Sequence, residues 1–533
     1  MRTIRRSYFV MLLAVPFLLL VALIWMIGSR QTPLQHLSAA DSELPEKTIT
    51  LFVPIPSNAK LPDGNEDFVR QAIEEKFGLQ VKLISAPQGP AYAAELEAML
   101  LANNPPDLWI EQSEDLGATL ALYGVLADLG PYISPATMPN YFKYWVTEQE
   151  LKQYRIHNRF YRAPLPYDKN SYRSYYIRQD WLDALGLKLP ANYEEYVSIL
   201  HAFTYDDPDG NGLNDTYGFS VSGNSSSLTT DWPEYGHRGL VYPAYMSQNK
   251  LVDMESDLRM QDVVEDILAV IKAGVVDPDW FLNSERSHLA KAAQGKVGVV
   301  FGQTADFALD ANAASLQSLS RIHNPQANWV PFNPLGTEPL GTIPSPGAPF
   351  VFSKKVVDKH PEKAKQIIAM LDWLASEEGF LLTHYGLEGK HYTRSGNTIT
   401  LLADNSGTGS GKPEAPDWLS TWSFFTPEAP MALGLQVVDP RLTLRDKDIR
   451  EFLAQLPTKP KLGVTLSPPI GIDVSAFRSR QNELLITLLF SDKSGARWPE
   501  YYADLMDNYY GKEIIANFEQ QVRAAANFRL SVT

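Results

Sequence analysis

The chain has 533 residues, is 44% hydrophobic and 20% charged, carries a formal charge of −15 and contains no cysteine. Such a length exceeds what one compact core holds, and the composition is that of a globular protein. The acidic balance argues against a nucleic-acid partner, because a phosphate backbone needs clustered Lys and Arg, and without cysteine there are no disulfides and no thiolate metal sites.

Arg2, Arg5 and Arg6 precede an uncharged run from Tyr8 to Gly28, YFVMLLAVPFLLLVALIWMIG. About 20 apolar residues cross a bilayer as a helix, and leading arginines stay in the cytoplasm, which places the chain beyond Ser29 outside. A cleaved signal has a shorter apolar core and a small-residue site close behind it; the nearest here is Leu37-Ser38-Ala39-Ala40. Residues 1–29 are therefore expected to be a signal anchor, with a cleaved signal peptide as the alternative, and residues 30–44 a tether.

Strands and helices alternate beyond the tether. TITLFVPI, from Thr48, predicts a strand, and EDFVRQAIEEKFG a helix capped by Asn65 and closed by Gly78. LQVKLISA predicts a second strand, AAELEAMLLA a second helix and PDLWIEQ a third strand. This alternation predicts a parallel sheet that binds ligands past the carboxyl ends of its strands. Pro54, Ser57, Trp109, Glu111 and Gln112 stand at those ends.

DDPDGNGLNDTYG, residues 206–218, has the form of a calcium loop. Counted from Asp207, side-chain oxygens fall at positions one, three, five and nine: Asp207, Asp209, Asn211 and Asp215. Leu213 offers its carbonyl at position seven, Gly212 permits the turn at six, and Thr216 stands at ten. Position twelve is Gly218, where an EF-hand has a bidentate Glu. The pattern predicts a structural Ca2+ in an oxygen cage; a metal-free surface loop is the alternative.

Aromatic rings in polar surroundings suit carbohydrate, whose C–H faces pack on rings while hydroxyls need paired hydrogen bonds. DWPEYGHRG offers Trp232 and Tyr235, and LSTWSFFTPEAP offers Trp422; both stretches could instead cover a core. Trp181 and Trp373 fall at helical spacing among leucines and are expected in the core. SGTGSGKP, residues 406–413, lacks the first Gly of a phosphate loop and has Pro413 after the Lys, so it reads as a linker. Neither H-E-x-x-H nor G-x-S-x-G occurs.

Several stretches carry a resemblance in a fixed order: NNPPDLW, YGVLADLGPYI, NRFYRAPLPY, YYIRQDWLDALGLKLPANYEEYVSILHAFTYDDPDGNG, AQGKVGVVFG and HPEKAKQIIAMLDWLASEEGFLLTHYGLEGKHYT. From about Thr48 onward the chain resembles bacterial extracellular solute-binding proteins of ABC transporters, of the family 1-like, Gram-positive lipoprotein-type subgroup. It departs from them in lacking the lipid-modified cysteine, for which a transmembrane anchor would substitute.

The resemblance implies an α/β, two-lobed, periplasmic-binding-protein-like clamp of type II, each lobe a sheet flanked by helices. Lobe one would hold residues 45–166 plus 297–350, and lobe two 167–296 plus 351–533. Hinges would lie near Pro164–Tyr167, Lys296–Gly302 and Pro344–Phe350. The implied function is capture of a sugar or oligosaccharide by hinge closure and delivery to an ABC permease, without catalysis. The implied setting is a monomer at the outer face of the cytoplasmic membrane of a Gram-positive bacterium. Candidate ligand-binding residues are Trp109, Tyr167, Trp232, Tyr235, Gln303, Tyr385, Glu388 and Trp422. Two alternatives remain open: a receptor presenting ligand to a membrane sensor kinase, and an extracellular glycan-cleaving enzyme.

Overall fold

In this computed structural model the described residues are 47–530, apart from 56–60, 63, 65, 113, 153, 157–158, 168–172, 303, 305–306, 343–347, 403–415, 460–461, 463–465, 467 and 470. The apolar run Tyr8–Gly28 and the linker 406–413 lie outside them. Among the described residues no helix is long and apolar enough to cross a membrane.

The first strand, β1 (Thr48–Ile55), is rich in β-branched and aromatic residues and buried at all but two positions. It pairs in parallel with β2 (Gln80–Pro87), Thr48 opposite Gln80, and on its other side with β3 (Leu108–Ile110). The crossover helix Phe68–Phe77 is capped by Asp67, whose carboxylate accepts from the Arg70 N–H at 2.9 Å and from the Trp422 indole at 3.1 Å. Asp67 therefore replaces Asn65 as the capping residue. Gly78 closes the helix at φ 62, a left-handed conformation that suits glycine.

After β4 (Arg162–Pro164) the chain leaves this sheet and builds another from β5 (Ser174–Arg178) and β6 (Tyr217–Phe219). The hairpin of β7 (Ala244–Ser247) and β8 (Lys250–Asp253) follows, and then β9 (Val297–Gly302) and β10 (Trp329–Phe332). A short strand, β11 (Gly341–Thr342), precedes β12 (Pro349–Phe352), which is back in the first sheet. The sheet orders are β2-β1-β3-β12-β4 and β10-β5-β9-β6. Each sheet has its own core. Leu51, Leu108 and Phe350 pack with Trp373, Phe380 and Trp418 in one; Ile177, Phe203 and Val299 pack with Trp181, Phe477 and Trp498 in the other. Trp181 and Trp373 are thus core residues.

Two expected lobe boundaries need correction. Strand β9 lies between β5 and β6, so Lys296–Gly302 is not a crossing, and residues 297–342 stay in the second lobe. Its sequence VGVVFG is buried throughout, as befits an interior strand. By Pro349, the start of β12, the chain is back in the first sheet. Helices Pro361–Leu374 and Glu377–His384 then pack on the first core, as does the chain through Leu435 and Val437. Residues 351–438 therefore belong to the first lobe. A third crossing, at 439–443, leads to helix Leu444–Ala454 and the C-terminal helices, which pack on the second lobe.

Strand pairing shows which edges these crossings join. Phe350 lies opposite Ile110, and Pro349 opposite Pro164, so the end of β4 and the start of β12 share the edge formed by the carboxyl ends of β1–β3. In the second sheet Ser174 lies opposite Gly302 and Phe332 opposite Tyr175, while β6 runs parallel to β9. The start of β5 and the ends of β6, β9 and β10 thus share the edge that the first crossing reaches.

Candidate functional site

On the first-lobe edge, Glu111 and Gln112 follow β3. Gln112 accepts from the Gly89 N–H at 3.2 Å and steadies the turn before helix Pro90–Leu101. Glu111 is 2% exposed, with its carboxylate 3.8 Å from the guanidinium of Arg162, which is fully buried. Gly117 makes room for it: a Cβ there would fall 1.5 Å from Glu111 Oε1. The Tyr92 hydroxyl lies 3.0 and 2.8 Å from the carbonyls of Phe52 and Ile110, tying β1 to β3. On the first crossing, Tyr167 is half-buried and donates its hydroxyl to Glu150 at 3.0 Å.

On the second-lobe edge, Arg173 stands immediately before β5. Its guanidinium lies 4.3 Å from the Tyr242 ring centre and 4.4 Å from that of Phe301. It donates to the Thr230 carbonyl at 2.8 Å and pairs with Asp231 at 3.3 Å. Burial raises the Asp231 carboxyl and Arg173 opposes that shift. Tyr175 donates to the Asp231 carbonyl at 2.8 Å, so the segment is fastened to β5 from two sides. Tyr242 is 40% exposed and bridges to Gly341, two residues before the second crossing begins. Arginine stacked on rings keeps its in-plane donors available. The cluster therefore offers donors, a carboxylate acceptor and a half-open ring face where the chain passes between lobes.

The sequence-based candidates fare differently. Trp109, Trp232, Tyr235, Tyr385 and Trp422 are all buried, so none opens a ring face to a solute. Trp109 packs with Phe52, Tyr92 and Leu96. Trp232 meets Trp280 edge-on at 5.0 Å. Tyr385 donates to Glu428 at 3.4 Å. Glu388 is exposed but lines a groove of about 610 Å³ with Lys76, Glu378 and Arg394. Lys76 is in the last turn of the helix that runs back from the carboxyl end of β1, so this groove is remote from the crossings. Gln303 lies outside the described residues. Arg173 and Tyr242 belong to none of the candidate motifs; the available signals were a basic residue just before a strand and an aromatic just before Pro243.

In the loop 206–218, Asp207 accepts from the N–H groups of Asn211 and Gly212 at 3.0 and 2.9 Å. The Asn211 amide donates to Asp209 at 3.0 Å and to Asp215 at 3.1 Å, and the Leu213 N–H donates to Asn211 Oδ1 at 2.7 Å. Lys296 pairs with Asp215 and, with Asn211, lowers its carboxyl; partial desolvation raises that of Asp209, and Asp207 and Asp215 push the same way. Thr216 is buried and donates to the Phe203 carbonyl at 2.7 Å, which turns its side chain away from the loop and removes it from the ligand set. Among the described residues no group of three or more His, Cys, Asp or Glu side chains is gathered as for a metal ion.

The polygalacturonan/rhamnogalacturonan-binding protein YtcQ of Bacillus subtilis is 26% identical over 317 residues, which are 56% of this chain and 58% of that protein. The chain thus spans little more than half the length of that relative. A solved extracellular solute-binding protein from Bifidobacterium longum subsp. infantis superposes with a TM-score of 0.65 at 15% identity, covering 90% of this chain and 98% of the other. The Streptococcus pneumoniae ABC-transporter substrate-binding protein FusA, solved with kestose, gives 0.64 at 16% identity, covering 91% and 100%. These likenesses establish the α/β two-lobed fold. The family model for bacterial extracellular solute-binding proteins matches residues 69–385, which hold the whole second sheet and every strand of the first except β1, and the chain belongs to that family.

Proposed function

We propose that the protein captures an oligosaccharide between its lobes and passes it to an ABC permease. The observation that carries this reading is the Arg173–Asp231–Tyr242 cluster, set where two crossings join the facing edges of two separate cores. Linked lobes with independent cores can rotate about their connections and close on a ligand that binds the closed state better. The names of YtcQ and of FusA, described as a fructooligosaccharide ABC transporter substrate-binding protein, support a saccharide as the solute. Titration calorimetry with pectin-derived, fructan and glycan oligosaccharides should find a ligand, and small-angle scattering should show compaction on its addition. Cleavage of the bound ligand at enzymatic rates would overturn the reading.

Residues 1–29 hold the protein on the outer face of the cytoplasmic membrane in this proposal, on the strength of the apolar run Tyr8–Gly28 and the distance to the nearest small-residue site. Mass spectrometry of membrane-derived protein should find the N-terminal segment retained. A mature terminus near Ala40 would show cleavage instead.

The loop 206–218 is proposed to bind calcium as a structural ion. Asp207, Asp209, Asn211 and Asp215 supply only hard oxygen donors, and three like charges in one loop resist approach until a cation joins them. Calcium would draw these side chains inward and displace the Asn211 amide and Lys296 from their present carboxylates. Calcium should raise the melting temperature and a chelator lower it, with the difference abolished in Asp209→Ala and solute affinity nearly unchanged. A calcium-independent melting temperature in the unaltered protein would refute the site.

A further inference from the structure

The geometry points to an uncharged oligosaccharide as the solute, with uronate chains refused. This rests on the solute-binding reading above and names its substrate class. Three described cations at these edges already have an acidic partner. Arg173 lies 3.3 Å from Asp231, donates to the Thr230 carbonyl and is covered by rings on two faces. Arg162 is buried 3.8 Å from Glu111. Lys291, beside the end of β6, lies 2.9 Å from both Asp277 and Asp279, and Asp277 accepts in turn from Ser220.

None of these three is left over for a carboxylated sugar. A uronate entering beside Arg173 must share it with Asp231 or expel Asp231 from it. Either outcome leaves a carboxylate desolvated without its own counter-charge, which is costly. The chain's formal charge of −15 adds long-range repulsion of a polyanion. A neutral sugar meets no such penalty. Each hydroxyl both donates and accepts, so a vicinal pair can donate to Asp231 and accept from Arg173 while the ring lies on Tyr242.

The test uses the full-length protein in detergent and titrates kestose, maltotetraose, mannotetraose and tetragalacturonate at low and high salt. At least one neutral probe should bind, with tetragalacturonate weaker by about tenfold or more, the scale of one hydrogen bond to a charged group. Asp231→Asn keeps the shape but frees Arg173: it should weaken the neutral ligand and strengthen tetragalacturonate, the gain fading at high salt. Arg173→Gln should weaken the neutral ligand about tenfold without conferring uronate binding. Melting temperatures near that of the parent show that the variants fold. Tetragalacturonate binding as tightly as the best neutral probe overturns the substrate class and leaves solute capture standing. Affinities unmoved in Asp231→Asn overturn the assignment of the pair to the subsite. No binding by either class overturns both this inference and the reading beneath it.

Discussion

Glu234→Gln should remove a pH-dependent loss of stability that amounts to about 3 kcal/mol between acidic and mildly alkaline solution. Glu234 is 1% exposed, on the short helix Pro233–His237. Tyr193 donates its hydroxyl to Oε1 at 2.9 Å, and Oε2 has no partner. Burial pushes the carboxyl up to about 7. The facing groups give it no cation. Tyr193 and Tyr196 approach from helix Tyr193–Tyr205, Tyr175 from β5, and Asp266 from helix Met260–Lys272; His237 stacks on Tyr193 at 3.9 Å, and Arg238 is held by Asp266 at 2.6 Å. Since the folded state holds this proton more tightly than the unfolded chain, its stabilisation is full below the ordinary glutamate value and is lost as pH rises through about 7. Glutamine keeps an acceptor for Tyr193 and cannot ionise. Burial also raises Asp67, Asp107, Asp231 and Glu255, but these titrate alike in both proteins and cancel in the comparison. Urea unfolding from about pH 5 to about pH 8 should show a shallower decline in the variant. Parallel curves would exclude Glu234 as the source. The effect bears on solute capture, because Thr230 and Asp231, the partners of Arg173, lie just before this helix.

The same segment shows where sequence reading succeeds and fails. Strands β1–β3, the helix closed by Gly78 and the core positions of Trp181 and Trp373 are legible because each follows from a local period or a local turn. DWPEYGHRG reads as a polar rim because Asp231, His237 and Arg238 dominate its composition. A five-residue helix is too short to display a period, so the burial of Pro233, Glu234 and Tyr235 within it, and of Trp232 at its N-cap, leaves no trace in the sequence. Trp422 is hidden likewise among Ser and Thr, yet its indole joins the cap of a distant helix. Arg173, Asp231, Tyr242 and Phe301 come from four separate stretches and meet only through sheet pairing. Solitary residues of that kind carry no local pattern. The lobe boundaries fail for a related reason: VGVVFG reads as a buried strand, but nothing local says which sheet it joins.

Gly218→Ala should destabilise the protein by about 3 kcal/mol, the upper end of what overpacking a core costs. Gly218 lies in β6, against helix Tyr193–Tyr205. Its N–H donates to Thr204 Oγ1 at 3.0 Å, and the Thr216 hydroxyl donates to the Phe203 carbonyl at 2.7 Å, so two hydrogen bonds hold strand and helix together. A Cβ at 218 would fall 2.6 Å from the Leu200 Cα and 2.7 Å from the Leu200 carbonyl oxygen. Those are backbone atoms and cannot swing aside as a side chain would. The helix would have to retreat from β6, carrying Phe203 off the Trp181 ring that it meets edge-on at 5.2 Å. The close approach also accounts for the missing glutamate at position twelve of the calcium-type loop. That position is spent on packing, so an ion in the proposed site would be held without a bidentate carboxylate there, and Gly218→Glu should damage the fold instead of completing the cage. Urea unfolding of Gly218→Ala with and without calcium checks both points. The loss should be of similar size in either condition, because it arises in the strand–helix contact and not at the ion. A variant within about 0.5 kcal/mol of the parent, the range of an ordinary surface change, would mean that β6 and the helix do not approach as described.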